Sequence, residues 1–548
     1  MRPVIVRAIS WGDEKKGTAL SAFTVCSLLV ALFAVGFPSR SPITSSATVS
    51  VIVRELPGSG DRPERTVERL GGSVGQRIEI IDGFVAELPR GSLDLLRSAP
   101  GVASATPNHK VHLQGRPDRF HFGSDQGSWF NTNKTIRAHD AWRQGYTGAG
   151  VDVALIDSGV APVSGMPASN VVNGPDLSFE SQADNLRYLD TYGHGTHMAG
   201  IIAGRDGGSK QRDPKDFRGV APDSRIVNVK VAAHSGATDV SQVLAAIDWV
   251  VQHRNDNGMN IRVLNLSFGT DGEQDYRLDP LTFAVEAAWH HGIVVVVAAG
   301  NGQFGSAALN NPAYDPFVIA VGADDTKGTR TLHDDEVPSW SARGDGTRNA
   351  DLVAPGKSLV SLRVGGSLID QQYPEGRVDE RFFRGSGTSQ ATAVVSGAAA
   401  LLLQQRPDLA PDQVKALLKS SSSPLPNADD EAQGSGLLNL RRALQAPTPE
   451  VTQDWEPATG LGSLELARGT LHVETDDGQA VEGEYDIMGA PWDAASWSAA
   501  AWSANAWTGG SWNGHPWTGG CWCAASWSGT AWEAASWSAA SWSAASWS

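Results

Sequence analysis

The chain has 548 residues and a formal net charge of −16. This length exceeds what one hydrophobic core usually supports, so we expect one large domain with smaller appendages. The negative charge, with no basic stripe, excludes nucleic acid and anionic membranes as the principal partner. The three cysteines are Cys26, Cys521 and Cys523, so burial must stabilise the long region between them.

The N-terminus has the composition of a secretion signal. Basic residues up to Lys16 precede an apolar run from Ala19 to Phe37, and small residues end at Ala47, as signal peptidase requires. The pattern predicts a signal peptide over residues 1–47 and an extracellular protein. Because the apolar run is longer than most signal cores, an uncleaved membrane anchor is the alternative.

Residues 48–114 alternate between strand and helix patterns. Strands are predicted at 48–56, 77–88 and 102–106, with helices at 63–70 and 92–98 between them. Such a segment packs as two helices on one antiparallel sheet, which is a small α+β module. The segment 113–133 is rich in Gly, Asp and Ser and is typical of a processing loop.

A larger α/β region follows from Val151. Apolar strand runs at 151–156, 225–231, 262–266, 293–298 and 317–321 alternate with helical runs at 241–253 and 281–290. Because the strand runs are apolar on both faces, they predict a parallel sheet covered by helices on both sides. The fold class is therefore α/β, with a doubly wound parallel sheet.

Polar residues follow three of these strands directly. Asp157, Ser267 and Asn301 each stand just after a predicted strand, and in such sheets functional groups gather beyond the carboxyl ends of the strands. His194 stands at the start of another helical run. Ser389 follows Gly387 and Thr388 in a small-residue turn that enters a helix continuing to Leu403. These residues should face one crevice.

Together they supply the parts of a serine hydrolase. A serine hydroxyl needs a base, and an imidazole serves best when a buried carboxylate holds its other nitrogen. Asp157, His194 and Ser389 supply these groups, while the Asn301 amide and the Ser389 backbone N–H supply donors for an oxyanion. Each residue alone is better explained as a turn, cap or loop residue. Their joint occurrence at the ends of elements favours catalysis.

Four motifs resemble those of subtilisin-like serine peptidases, the subtilases of the S8 type. They are Ile156-Asp157-Ser158-Gly159-Val160, Gly193-His194-Gly195-Thr196-His197, Ala299-Gly300-Asn301 and Gly387-Thr388-Ser389, and the resemblance covers roughly residues 138–444. It implies a peptidase domain over 130–446, a triad of Asp157, His194 and Ser389, and an oxyanion hole completed by Asn301. The module at 48–114 resembles the family's inhibitory propeptide, which implies a self-processed zymogen.

The resemblance also implies how substrate is bound. Polypeptide substrates would add as an extended strand between two edges of the domain. The substrate-binding residues implied are Ser235, Gly236, Ser267, Phe268, Gly269, Ala299 and Gly300. The chemistry requires no cofactor.

Metal binding stays open at this stage. The loop 205–218 does not match the calcium loop of the best-known relatives. Asp206, Asp213 and Asp216 are candidates for a structural calcium site or for solvated surface acids.

The C-terminal region has a different composition. Prolines mark a linker, and with a hairpin pattern about Asp477-Gly478 they define a small module at 447–490. In the repeat at 491–548, tryptophan recurs every five residues from Trp492 to Trp547, twelve times in all. Neither an α-helix nor a flat strand places this period on one face.

The repeat therefore resembles a pentapeptide solenoid, and a disordered low-complexity tail is the alternative. We expect it to be separate from the catalytic domain and to contact the cell wall or another surface through its indoles. A second hypothesis for the whole chain is a surface-binding protein with the peptidase domain as a scaffold. The intact triad and Asn301 favour the peptidase.

Overall fold

The structure is a computed structural model that describes residues 48–78, 81–108, 120–208, 213–302, 309–470, 472–473 and 480–517. The chain divides into two compact units, residues 1–117 and residues 118–548. The predicted signal, the turn at Asp477-Gly478 and the second half of the tryptophan repeat lie outside the described residues. No helix in the described part of the chain is long and apolar enough to cross a membrane.

The first unit is a four-stranded antiparallel sheet with two helices. Its elements are β1 (Thr48–Glu55), α1 (Arg62–Arg69), β2 (Ser73–Ile78), β3 (Gly83–Pro89), α2 (Leu93–Arg97) and β4 (Val102–Pro107), with the strand order β2-β3-β1-β4. Val51, Val53, Phe84 and Leu88 lie in its own hydrophobic core. The small α+β module is therefore confirmed as a fold.

One predicted strand in this unit is wrong in detail. The run 77–88 is not a single strand, because β2 and β3 pair antiparallel with Ile78 opposite Gly83. Asp82 has a φ of 45°, and a Cβ on Gly83 would meet Val53 O at 2.1 Å. The Asp-Gly pair is thus a break between two strands, which is a turn signal that the apolar pattern obscured.

The second unit is built on a seven-stranded sheet. Its strands are β5 (Asp152–Asp157), β6 (Val171–Asp176), β7 (Arg225–Lys230), β8 (Ile261–Leu266), β9 (Val294–Ala298), β10 (Ile319–Asp324) and β11 (Leu352–Pro355). The order is β11-β10-β9-β8-β5-β7-β6, and the adjacent strands are parallel. This confirms the doubly wound α/β class. The two strands absent from the prediction are the edge strands: β6 contains a Gly-Pro pair, and β11 has only four residues.

Helices cover both faces of this sheet, and smaller elements complete the unit. The helices are α3 (Trp129–Thr135), α4 (Ala138–Arg143), α5 (His194–Ala203), α6 (Val240–His253), α7 (Pro280–His290), α8 (Leu368–Gln372), α9 (Thr388–Gln405), α10 (Pro411–Ser421), α11 (Asp430–Gln433), α12 (Leu440–Gln445), α13 (Leu464–Arg468) and α14 (Ala494–Trp502). Further strands are β12 (Leu359–Leu362) and β13 (Phe382–Gly385), then β14 (Trp507–Thr508), β15 (Ser511–Trp512) and β16 (His515–Pro516). Single 3₁₀ turns lie at Ala168–Asn170, Phe179–Gln182, Asp256–Gly258 and Pro374–Gly376 in this unit, and one lies at Arg90–Ser92 in the first unit.

The longest helix, α9, is the centre of the unit. Every residue from Thr388 to Leu403 is buried, and the helix packs against β8, β9, β10 and β11. A Cβ on Gly397 would lie 2.6 Å from the Val220 side chain, so glycine allows the close approach of the neighbouring chain. The residue at the start of α9 is consequently fixed by contacts along the whole helix.

The predicted processing loop at 113–133 is wrong for its described part. Phe120 and Phe122 pack against Trp129, with ring centroids 5.7 and 5.5 Å from it. Helix α3 begins at Trp129, and the Ser128 hydroxyl accepts a hydrogen bond from Asn131 N at 3.2 Å. Aromatic burial thus makes residues from 120 onward part of the second unit.

The prediction of a separate tryptophan repeat is also wrong over residues 492–517. Trp497 Nε1 and Trp512 Nε1 donate to Asp248 Oδ2 at 2.9 and 2.7 Å, and Trp507 Nε1 donates to Ala245 O at 2.9 Å. Both acceptors lie on α6. The chain forms one helix and three short strands here rather than a solenoid. The backbone changes from helix to short strands after Trp502. Because of this change, tryptophans five residues apart can pack against the same helical surface.

The preceding segment, 447–490, is not a free linker where it is described. Ala458 N donates to both carboxylate oxygens of Glu286 on α7 at 2.9 Å. Arg468 forms an ion pair of 2.7 Å with Asp239, and both side chains are 1% exposed. An ion pair without solvent holds only where its geometry is fixed, so this segment is part of the folded unit.

Asp248 makes the tryptophan contacts sensitive to pH. Burial raises the pKa of this carboxyl to about 7, whereas an unfolded aspartate titrates near pH 4. The folded chain therefore binds more protons between these two values, and the free energy of unfolding falls as pH rises through that window. Asparagine offers the two indoles the same acceptor and does not titrate.

We predict that Asp248→Asn removes this fall in stability. Below about pH 4, the free energy of unfolding of the variant should exceed that of the wild type only slightly. The difference should grow between about pH 4 and 7, and it should reach up to about 4 kcal/mol above about pH 7. Urea unfolding, followed by tryptophan fluorescence, checks this in a Ser389→Ala background, which lacks the predicted nucleophile. Asp454→Asn, at an exposed position, is the control. An advantage that does not vary with pH would contradict the account.

Candidate active site

The end of β5 and the start of α5 bring a carboxylate to an imidazole. Asp157 is the last residue of β5, and His194 is the first residue of α5. His194 Nδ1 lies 2.9 Å from Asp157 Oδ1 and 3.0 Å from Oδ2, and both side chains are 1% exposed. Because carboxylate oxygens only accept, Nδ1 carries the proton. This tautomer makes Nε2 the basic nitrogen of the ring.

A second buried acid holds this junction together. Asp190 Oδ1 accepts from Gly193 N at 2.6 Å and from Ser158 Oγ at 2.8 Å, and its Oδ2 accepts from Thr196 N at 2.7 Å. Burial raises the pKa of Asp190 above its usual range. The sequence prediction missed this residue. Its only signal was an acidic residue four positions before His194.

The approach of α5 to β5 also requires a glycine. A Cβ on Gly195 would lie 2.2 Å from Gly159 O and 3.1 Å from Asp157 Oδ1. Any side chain there would separate the helix from the strand and lengthen the contact between His194 and Asp157. Gly195 is therefore explained by close packing, whereas Gly193 has a φ of 105°, a conformation that favours glycine.

His197, three residues after His194, is a buried residue with a role in packing. It is 1% exposed, and burial lowers the pKa of its imidazole to about 3. Its carbonyl accepts a hydrogen bond from Ser361 Oγ at 2.8 Å. The ring is thus neutral at ordinary pH and belongs to the packing of α5 against β12.

Ser389 is the second residue of α9. Its Oγ donates to Ser267 O at 3.3 Å, directly beyond β8. The turn before it is fixed by Gly387 N, which donates to Gly356 O at 2.9 Å, and by Ser386 Oγ, which accepts from Ser358 N at 2.8 Å. At the N-terminus of a long helix the first backbone N–H groups have no partner within the helix, and negative charge is favoured there.

Asn301 contacts the start of the same helix. It follows β9 through Ala299 and Gly300, whose φ is 116°. Asn301 Oδ1 accepts from Thr388 N at 2.8 Å and from Thr388 Oγ1 at 3.0 Å. These contacts fix the orientation of the amide, with Oδ1 bound to the first residue of α9.

A cavity of about 1020 Å³ opens beside these residues. Ser389, Asn301 and four of the predicted substrate-binding residues line it: Ser267, Phe268, Gly269 and Gly300. Ala299 is not in the lining, whereas its neighbour Ala298 is. The prediction missed another part of the wall, which is formed by the chain from Asp271 to Arg277 together with Asn310, Tyr314 and Thr347. No spacing in the sequence connects these segments before the chain is folded.

Ser235 and Gly236 lie elsewhere and do not line this cavity. They follow β7, and a Cβ on Gly236 would meet the Tyr192 ring at 3.0 Å. Tyr192 is two residues before His194, so these residues lie on the His194 side of the crevice. The two predicted edges thus lie beside different residues of the predicted triad, one near His194 and the other near Ser389.

The candidate calcium ligands have protein partners. Asp206 Oδ1 lies 2.5 Å from Arg381 Nη2, and Asp206 Oδ2 accepts from Phe217 N at 3.1 Å. Among the described residues no group of three His, Cys, Asp or Glu side chains is arranged to hold a metal ion. A guanidinium already neutralises Asp206, so the described residues of this loop do not fit a calcium site, and no step of the chemistry is assigned to a metal.

Comparison with known proteins agrees with this geometry. A model of the subtilase family matches residues 148–436. Serine protease AprX of Bacillus subtilis (strain 168) is 37% identical over 311 residues, which are 55% of this chain and 67% of that protein. Subtilisin E of the same strain is 32% identical over 391 residues, covering 71% of this chain and 87% of that protein. Subtilisin DY of Bacillus licheniformis is 34% identical over 313 residues, which cover 57% of this chain and 96% of that protein.

The family model covers more than half of the chain, and its match includes all four motifs that surround the crevice. The protein is therefore a member of the subtilase family and a serine endopeptidase.

Proposed function

We propose that this protein is a secreted endopeptidase that cleaves peptide bonds through Ser389, with His194 as the base and Asp157 as the group that orients it. The main support for this proposal is the buried contact of both Asp157 carboxylate oxygens with His194 Nδ1, at distances of 2.9 and 3.0 Å. It leaves Nε2 to remove the proton from Ser389 Oγ. Because charge develops in a site that excludes water, the carboxylate stabilises the imidazolium strongly.

The reaction follows from these positions. Ser389 Oγ attacks the substrate carbonyl carbon as its proton passes to His194, and the carbonyl oxygen takes the electron pair. Asn301 Nδ2 and the Ser389 backbone N–H donate to this oxyanion. His194 then gives its proton to the leaving amine, and water, activated by the same base, releases the acyl group. The chemistry uses side chains and backbone alone.

We propose that the substrate backbone lies as a strand between the edges at Ser235-Gly236 and Ser267–Gly269, with Ala299 and Gly300 below it. The small residues leave room for a peptide main chain. The cavity beside Ser389 then receives the side chain of the residue before the scissile bond. Its acids, Asp271, Glu273 and Asp275, are exposed rather than buried.

We also propose that residues 48–114 are a propeptide that inhibits the enzyme and is removed by the enzyme itself. Residues 48–108 fold around a core of their own, and residues from Phe120 onward pack into the second unit. The processing site is therefore between residues 108 and 120. Residues 1–47 would be removed earlier as a signal peptide.

We do not extend the proposal to binding of a cell surface or wall through the described tryptophans. Trp497, Trp507, Trp512 and Trp517 are buried, and Trp492 is half-buried. Trp502 is 44% exposed. The scaffold hypothesis has no observation in its favour.

Ser389→Ala should abolish peptide hydrolysis and leave the propeptide attached, because one nucleophile performs both reactions. Intact-mass and N-terminal analysis of protein from a protease-deficient host checks this, and the wild type should begin between residues 109 and 120. Ser420→Ala, at an exposed serine on α10, is the matched control and should mature normally. Normal maturation of Ser389→Ala would exclude self-processing.

Asn301→Ala should lower kcat by roughly 10²- to 10³-fold with little change in KM, a magnitude known from the equivalent donor in subtilisin. Asn301→Asp keeps an acceptor for Thr388 and removes the donor, so it should also be strongly impaired. Steady-state kinetics on a short peptide separates the two roles of the amide. If Asn301→Asp retains full turnover, the side chain only supports α9.

A further inference from the structure

The chain after the family domain runs along one wall of the substrate cavity. We call residues 456–470 the strap and residues 271–278 the cavity loop. The cavity loop connects β8 to α7, and its first seven residues line the cavity beside Ser389. The strap lies beyond residue 436, where the match to the family model ends.

The first part of the strap binds the end of the cavity loop. Glu456 Oε2 lies 3.1 Å from Arg277 Nη1, and the Glu456 carbonyl accepts from Tyr276 OH at 3.2 Å. Thr459 N and Thr459 Oγ1 donate to Arg277 O at 2.8 and 2.9 Å, and Gly462 N donates to Leu278 O at 2.7 Å. Both side-chain and backbone groups therefore hold this end.

The second part of the strap binds the start of the cavity loop. Gln274 Oε1 accepts from Ser463 N at 2.8 Å, and Gln274 Nε2 donates to Ser463 O at 3.1 Å. Asp271 Oδ1 accepts from Thr470 N at 2.8 Å, and Asp271 Oδ2 accepts from the Thr470 hydroxyl. A Cβ on Gly272 would lie 2.5 Å from Leu466 O. The backbones of the two segments are thus in direct contact.

The strap itself is fixed to the rest of the unit at two points. Near its start, Ala458 N donates to the Glu286 carboxylate of α7. Near its end, the buried Arg468 pairs with Asp239, which also caps α6. The cavity loop, by contrast, is exposed at Asp271, Glu273, Asp275 and Arg277. An exposed loop is ordered by the elements that hold it, so the strap restricts its conformation.

The cavity loop is placed to contact one particular part of a substrate. A substrate carbonyl at Ser389 Oγ would place the preceding side chain in this cavity, whose lining includes Gly269, Gly300 and the cavity loop. Tyr276 and Arg277 line the same cavity. A large side chain fills more of this volume than alanine does, and it therefore contacts more of the wall that the cavity loop forms.

We infer that the strap positions the cavity loop and thereby sets the preference of this enzyme for large side chains before the scissile bond. This inference rests on the proposed peptidase function. Glu456 and Thr470 are its positioning residues, since they act on the cavity through Arg277 and Asp271. The specificity of the catalytic domain then depends on a segment outside that domain.

The test compares two short peptides that differ only in phenylalanine or alanine before the scissile bond. The strap variant is Glu456→Gln with Thr470→Val, which removes one charge and one hydroxyl from the strap. The ratio of kcat/KM for the phenylalanine peptide to that for the alanine peptide should fall by about threefold, because both contacts are exposed and exposed contacts are individually weak. The fall should be in KM, with kcat per titrated active site unchanged.

Asp454→Asn with Thr452→Val is the matched control, since both residues are exposed and precede the strap. It should keep the wild-type ratio. Glu456→Asp with Thr470→Ser retains both functional groups and should recover most of the ratio. If the strap variant keeps the wild-type ratio, or loses both peptides equally, the strap has only a structural role and the inference is wrong. Wild-type enzyme that cleaves neither peptide contradicts the peptidase function itself, and the inference with it.

Discussion

Asp157 places both of its carboxylate oxygens within 3.0 Å of His194 Nδ1 in a position that water does not reach. A buried carboxylate is costly unless donors surround it, and Ser158 N supplies one at 2.8 Å. The close approach of α5 to β5 then depends on Gly195 and on Asp190, which binds Thr196 on α5 and Ser158 directly after β5. The proton acceptor at Nε2 exists because this packing fixes the tautomer of His194.

The same sheet edge gathers the other groups. Asn301 and Ser267 stand beyond β9 and β8, and each contacts the first turn of α9. Asn265 Nδ2 donates to Ser267 Oγ at 2.9 Å, and Asn265 Oδ1 accepts from Ser396 Oγ at 2.9 Å, so the interior of β8 is also bound to α9. Ser389 is therefore held through contacts beyond β8 and β9, whereas Asp157 and His194 meet at the end of β5.

The tryptophan-rich segment at residues 492–517, here called the C-terminal extension, packs against the catalytic domain, although its composition predicts a separate tail. Its indoles meet Asp248 and Ala245 on α6, and Phe283 on α7 contacts Trp497 and Trp502 with centroids 5.5 and 5.9 Å apart. Tryptophan combines a large apolar area with one N–H donor, so it can cover a helix face and still satisfy a buried acceptor. The extension therefore completes the helical layer on which the strap rests.

The sequence was sufficient for the central strands and for the residues at their ends, because buried parallel strands are continuous apolar runs. The edge strands were missed because Asn173, Gly174 and Pro175 interrupt the apolar run of β6, and because β11 has only four residues. The cavity loop could not be predicted, since Asp271 and Thr470 are neighbours only after folding. The tryptophan period was visible, but periodicity alone does not indicate which surface of another element the indoles will cover.

The most direct test of the account is covalent labelling of the nucleophile. Mature protein, treated with a serine-directed fluorophosphonate and digested for mass spectrometry, should carry the label on Ser389 alone. The His194→Gln variant should react far more slowly, because the proton acceptor is absent. Label on another serine, or equal labelling of Ser389 without His194, would contradict the assignment of these residues as nucleophile and base.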